Sequence, residues 1–181
     1  MNETKERVKG VVQRLVENIA RLREVKKAYR NLRPAASSPA SEEEIRRYEK
    51  ELGVALPKTF RAFLELHNGY SGLTIPGSML SIQSVRPGGE AYSKIKEWKL
   101  ETARYGSAQV LDGIVIASMD GPNQWAFLDP NRPTSEGELT VVSWQPDSSQ
   151  EFPDLIKFFE ELIDYCHFSI ARATGSQAKP I

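Results

Sequence analysis

Residues 41–72, SEEEIRRYEKELGVALPKTFRAFLELHNGYSG, read as two short helices joined at a tight corner and closed by a glycine stop. Ser41 with Glu44 three residues on is a capping box, in which the hydroxyl serves an orphan amide and the carboxylate reaches back. Glu42, Glu43 and Glu44 together place negative charge where a helix N-terminus favours it. Ile45, Tyr48 and Leu52 follow at helical spacing, with charged residues between them. Gly53 supplies a stop, and Val54-Ala55-Leu56 crosses as an apolar corner. Pro57 opens a second helix, where its missing amide costs nothing. Phe60, Phe63, Leu64 and His67 share one face of that helix until Asn68-Gly69 ends it, both residues tolerating a left-handed backbone.

Outward from this stretch the chain divides. Residues 3–33 carry Val8, Val11, Val12, Leu15, Ile19, Leu22, Val25, Tyr29 and Leu32 in a 3-4-3-4 rhythm, which predicts one long amphipathic helix over residues 1–33. Its apolar stripe must pack on the body, on a copy of itself as a homodimer, or on a partner. Residues 34–40, PAASSPA, read as a linker of small residues and prolines, with a domain over 41–170 and a loose polar tail over 171–181.

Within the domain, Leu73-Thr74-Ile75 and Met79-Leu80-Ser81-Ile82 predict short strands, and Arg86-Pro87-Gly88-Gly89 a flexible break. Tyr92, Ile95, Trp98 and Thr102 mark a helix ending near Tyr105-Gly106. Ile114-Val115-Ile116-Ala117 and Trp125-Ala126-Phe127-Leu128 predict a hairpin turned at Asp120-Gly121-Pro122-Asn123. Leu139 to Trp144 is a further strand, and Phe152, Leu155, Ile156, Phe159, Leu162, Ile163 and Cys166 form a closing helix. Of Trp98, Trp125 and Trp144, two belong in the core. This order argues an α+β fold, an antiparallel β-sheet with helices packed against it.

The order Ile45…Glu49…Leu52-Gly53…Leu56-Pro57…Phe60…Phe63-Leu64…His67-Asn68-Gly69 resembles the opening motif of the SUKH superfamily, the Smi/Knr-type domain. Ile116…Asp120-Gly121…Trp125…Asp129 is similar to its middle motif, and Phe152-Pro153-Asp154-Leu155 to its ending. The likeness covers about 41 to 166 and leaves residues 1–40 outside. One departure is Tyr70, which stands where the family often has a second glycine.

Catalytic and metal readings find little support in the residues. His67 and His167 sit in no ligand-spaced cluster, and Cys166-His167 are neighbours whose side chains diverge on a helix. Asp112, Asp120 and Asp129 flank the hairpin without the spacing of a calcium loop. Pro87-Gly88-Gly89 lacks the Lys-Ser/Thr of a phosphate loop. The chain is therefore read as non-enzymatic, with no cofactor and no metal.

Zero net charge over 181 residues conceals an asymmetry. Residues 1–36 hold ten Lys/Arg against four Asp/Glu, and the remainder fourteen against twenty. An acidic body with glutamates along its basic helix opposes specific nucleic-acid binding and suits a basic protein partner. No apolar run reaches the roughly 20 residues of a membrane span. A single cysteine and no signal-like N-terminus suggest the cytoplasm.

What the resemblance implies is a protein-binding module. One form is an immunity protein that neutralises a cognate toxin domain, a nuclease or similar effector, by direct binding. The other is a regulatory or scaffold protein, like the fungal cell-wall regulator in the same superfamily. The positions matching family motifs give the candidate protein-binding surface: Asn68, Gly69, Tyr70, Asp120, Asn123, Trp125 and Asp129.

Overall fold

The computed structural model describes residues 3–119, 121 and 123–175. Asp120 and Pro122 of the expected turn, and positions 176–181 of the expected tail, lie outside the described residues.

Helix α1 (Glu3–Val25) opens the chain. Strand β1 (Ala35–Ala36) precedes α2 (Glu42–Leu52) and α3 (Lys58–Leu64). Then come β2 (Tyr70–Thr74), β3 (Gly77–Met79), α4 (Ile82–Val85) and α5 (Tyr92–Arg104). The last part holds β4 (Ile114–Ser118), β5 (Trp125–Pro133), β6 (Leu139–Gln145), β7 (Ser148–Phe152) and α6 (Leu155–Thr174). The seven strands pair in sequence order, every pair antiparallel, so the sheet is a meander without crossovers. The α+β expectation, with an antiparallel sheet and a long N-terminal helix, holds.

The two faces of the sheet carry different cores. Ile114, Ile116, Leu128 and Val141 pack with α1, α3 and α6, while Val115, Phe127 and Val142 pack with Ile95 and Trp98 of α5. Strict alternation produces this division, since neighbours on a strand point to opposite faces. One bulge modifies it. Val115 pairs with Phe127 and Ala117 with Ala126, so Ile116 and Ala117 both reach the larger core.

Several local signals fold as the residues suggest. Ser41 closes a full capping box with Glu44, and Gly53 ends α2 at φ 70°. Other elements differ. The first helix stops at Val25 rather than continuing to residue 33; Lys26 is extended and a 3-10 turn follows over Lys27–Tyr29. The chain bends there so that the Tyr29 hydroxyl meets that of Tyr165, 2.9 Å away. Ile82 begins a helix capped by Ser81 instead of ending a strand. Arg86-Pro87-Gly88-Gly89 is a packed turn: Gly89 N–H donates to Arg86 O at 2.8 Å, and a Cβ on Gly89 would strike the carbonyl oxygens of Gln83 and Ser84.

The expected linker is fastened to the domain along its length. Ala35 and Ala36 pair with Ser71 and Tyr70. The Ser37 amide donates to Gly69 O (3.1 Å), the Asn68 amide to Ser38 O (3.1 Å) and the Ala40 amide to Leu64 O (2.9 Å). The apolar stripe of α1 is consumed by the body as well. Val8, Leu15, Ile19 and Leu22 are fully buried in the same core as Phe63, Phe159 and Cys166. A homodimer through that stripe would have to pull α1 off α6 and α3. At the other end α6 continues to Thr174, past the point where a loose tail was expected, and Gly175 closes it at φ 70°.

Candidate protein-binding surface

The residues singled out from family motifs divide by burial. Asn68 is buried, and its side chain works as a strut: Oδ1 accepts from the Ile82 amide (2.9 Å) and Nδ2 donates to Gln83 Oε1 (2.7 Å). Gly69 adopts φ 100° beside Ser81, whose amide lies 3.1 Å from where a Cβ would stand. Asp129 is also buried, and its carboxylate accepts from the Asn131 amide at 2.9 Å. Trp125 lies in the second core, its ring 6.0 Å from that of Trp98. These four hold the fold rather than present side chains outward.

Tyr70 and Asn123 remain accessible. Tyr70 is half-buried at the head of β2, set edge-on to His67 at 5.1 Å. Desolvation holds the His67 imidazole below its usual value. Asn123 is exposed on the β4–β5 turn. Two strands lie between them in the register: Tyr70 pairs with Met79 and Met79 with Ala117, and the turn begins beyond Ser118.

A different feature stands out on the surface. An open cleft of about 770 Å³ lies between α2, the turn after α4, α5 and the start of β4. Tyr48 and Leu52 of α2 line one side, Ile95 and Leu100 of α5 another, and Ile114 and Val115 bring the start of β4 to it. Each side follows from local sequence. Tyr48 sits one turn after Ile45 on the buried stripe of α2, and Ile95 lies on the stripe of α5 that continues to Trp98. Leu100 is out of phase with that stripe and is 50% exposed; Leu111, beyond the helix, is 45% exposed. Both stand at the cleft.

Positive charge gathers there. Arg86 lies over the Tyr48 ring, 5.6 Å from its centroid, a cation–π arrangement. Its Nε comes within 2.7 Å of Glu51 Oε2, but off-line for a hydrogen bond, so the pair is an ionic contact. Burial pushes the Tyr48 phenol up to about 12, the nearby Arg86 guanidinium pulling the other way. Lys99 reaches across from α5 to donate to Leu111 O (2.9 Å) and Gly113 O (2.6 Å), fixing one end of the cleft. Desolvation lowers its pKa despite the charge of Asp112. Lys96 adds a third cation, and Glu51 is the only carboxylate among the described residues that line it.

The sequence alone did not reveal this site, because its residues come from four separated segments. The one signal was Leu100, an apolar residue out of step with its own helix. Among the described residues no group of three or more His, Cys, Asp or Glu comes together to hold a metal. No described helix is long and apolar enough to cross a membrane.

Fold and surface together define an α+β domain built on a seven-stranded antiparallel meander, with an open cleft between α2 and α5. The chain belongs to the SMI1 / KNR4 family (SUKH-1), whose model matches residues 39–165. That membership supports a role in binding other proteins, in immunity or in regulation. A comparison with curated proteins returns no match. The match takes in the capping box of α2, the cleft and most of α6, and leaves α1 outside it.

Proposed function

We propose that this protein is an immunity protein, a non-enzymatic binder that neutralises a cognate toxin domain by direct contact. Family membership supplies the class of activity. The observation that carries the reading is the cleft: apolar side chains in its lining, rim leucines left half in water, and a volume of about 770 Å³. Large apolar side chains exposed together at a concavity mark an interaction site, because leaving them in water forgoes roughly 25 cal/mol for each Å² that a partner would cover. The toxin would dock on this face and lose access to its substrate. The protein would work in the cytoplasm, where its lone cysteine stays reduced.

Deleting the gene in its source cell and challenging that cell with each toxin domain encoded beside it tests the proposal. The expected result is loss of protection, together with abolition of one toxin's activity by equimolar purified protein. Failure of every such toxin to bind would overturn it.

A second reading, a regulatory or scaffold module, is favoured by α1. This helix lies outside the family match and keeps Arg7, Lys9, Arg14 and Arg21 exposed on its outer side. A pull-down with the full chain that recovers cell-envelope or housekeeping proteins, and no toxin, would favour that reading instead.

A further inference from the structure

From its shape and charge we infer that the α2–α5 cleft receives a short segment of the partner protein in which a carboxylate stands beside a large apolar side chain. This deepens the proposed function and rests on its premise that the partner is a protein. The apolar half of the recognition comes from Leu52, Ile95, Leu100 and Leu111, which line a space of about 770 Å³. The acidic half comes from a charge imbalance. Arg86, Lys96 and Lys99 line the cleft against one carboxylate, and that carboxylate, Glu51, is already committed to Arg86.

Lys99 is the more telling cation. Its ammonium is anchored by two backbone carbonyls, with the charge of Asp112 acting on it from outside the lining, and desolvation still outweighs that charge. A partly desolvated ammonium gains from an incoming carboxylate what it does not receive from neutral acceptors. Arg86 is likewise three-quarters or more withdrawn from water, at 19% side-chain exposure, and its distal nitrogen Nη2 has no hydrogen-bond partner among the described residues. An apolar ligand alone would leave these groups dry and unmatched, and a basic one would be repelled. The net-acidic body outside the cleft does not alter this local field, since exposed charges beyond roughly 8–10 Å are screened at physiological salt.

The test uses the full chain and a labelled synthetic peptide presenting Phe next to Asp. Companion probes carry Asn or Lys in place of the Asp, and decanoate serves as a carboxylate without a peptide. Binding is read by fluorescence polarisation and by amide shifts mapped onto the protein. The acidic peptide should bind, perturb the amides of Lys96, Leu100 and Gly113, and weaken as salt is added. The Asn analogue and the variant Lys96→Glu/Leu100→Ser should each bind about tenfold more weakly, the size of one matched ionic or apolar contact in a partly dry site. Both substituted residues are exposed, so the fold should be retained, as checked by an unchanged thermal melt.

Equal binding of the Asn or Lys analogue would overturn the charge argument. Decanoate binding in place of the peptide would overturn the occupant. The two readings also fail separately. A toxin that binds the wild type and the double variant equally would leave the immunity function standing and remove the cleft from it.

Discussion

Helix α3 starts without a cap of its own. Its N-cap is Pro57, which makes no side-chain hydrogen bond. The missing acceptor comes from the β5–β6 hairpin, where Glu138 takes the Thr59 amide at 3.3 Å and the Thr59 hydroxyl at 2.6 Å. Both residues are buried, and Thr134 Oγ1 accepts from the Glu138 amide at 3.2 Å, holding the hairpin in place. Glu138→Ala strands a buried N–H and a buried O–H and removes a negative charge from a helix N-terminus. Each stranded donor costs about 1–3 kcal/mol, and the hydroxyl recovers part by rotating, so a total near 3 kcal/mol is expected. Glu138→Gln keeps one acceptor and the shape, and should lose about 1 kcal/mol. Desolvation of the carboxylate acts in the opposite direction, which makes the sign of the Gln variant informative. At about 2–4 °C per kcal/mol for a chain of this size, the alanine variant should melt roughly 6–12 °C lower. Urea midpoints for the two variants, Thr59→Ala and the double substitution Glu138→Ala/Thr59→Ala complete a double-mutant cycle. Zero coupling between 59 and 138, or a Gln variant more stable than the wild type, would refute the capping argument.

Five other outcomes follow from the packing and the titrating groups. Leu15→Ala should cost about 3 kcal/mol of urea stability, because Leu15 is fully buried against the body, whereas a freely tethered arm would show no change. Gly89→Ala should lower the melting temperature, losing about 1–3 kcal/mol as its Cβ meets two backbone oxygens that cannot yield. Gly10→Ala, in the open on α1, should gain up to about 1 kcal/mol in the same assay. His67 is held below its usual value by desolvation, so folding disfavours its charged form. Its contribution is intact above the unfolded histidine value and is lost as pH falls from there to the lowered folded value. Urea midpoints from about pH 7.5 to about pH 5 should therefore drop further for the wild type than for His67→Gln. Burial pushes the Cys166 thiol up to about 12, so a thiol reagent should modify it only after denaturant unfolds the chain. Rapid labelling under native conditions would contradict its buried position.

What the sequence disclosed were features written into one contiguous stretch. The Ser41–Glu44 box, the Gly53 stop, the α5 stripe and the central hairpin each have a period or a spacing of their own. Strand β7 escaped notice because Ser148, Ser149, Gln150 and Glu151 are all exposed and polar, and an edge strand needs no apolar alternation. Strand β1 is two exposed alanines whose extended form is imposed by β2. Three of the motif residues lie inside the fold. Asn68, Gly69 and Asp129 have the turn chemistry that draws attention in a sequence, and the fold spends it internally. The cleft was hidden for the converse reason: Tyr48, Arg86, Lys99 and Leu111 mean nothing as neighbours until the fold brings α2, the turn after α4, α5 and the start of β4 together.

The pairing of the first helix with the last also sets a timetable for synthesis. Helix α1 leaves the ribosome well before α6, against which much of its apolar stripe is sealed. At translation rates of roughly 5–20 residues per second, that stripe waits on the order of ten seconds for its cover. During this interval a basic helix with one greasy side is a natural chaperone client, and a ribosome stalled before residue 155 releases a chain with its stripe still bare.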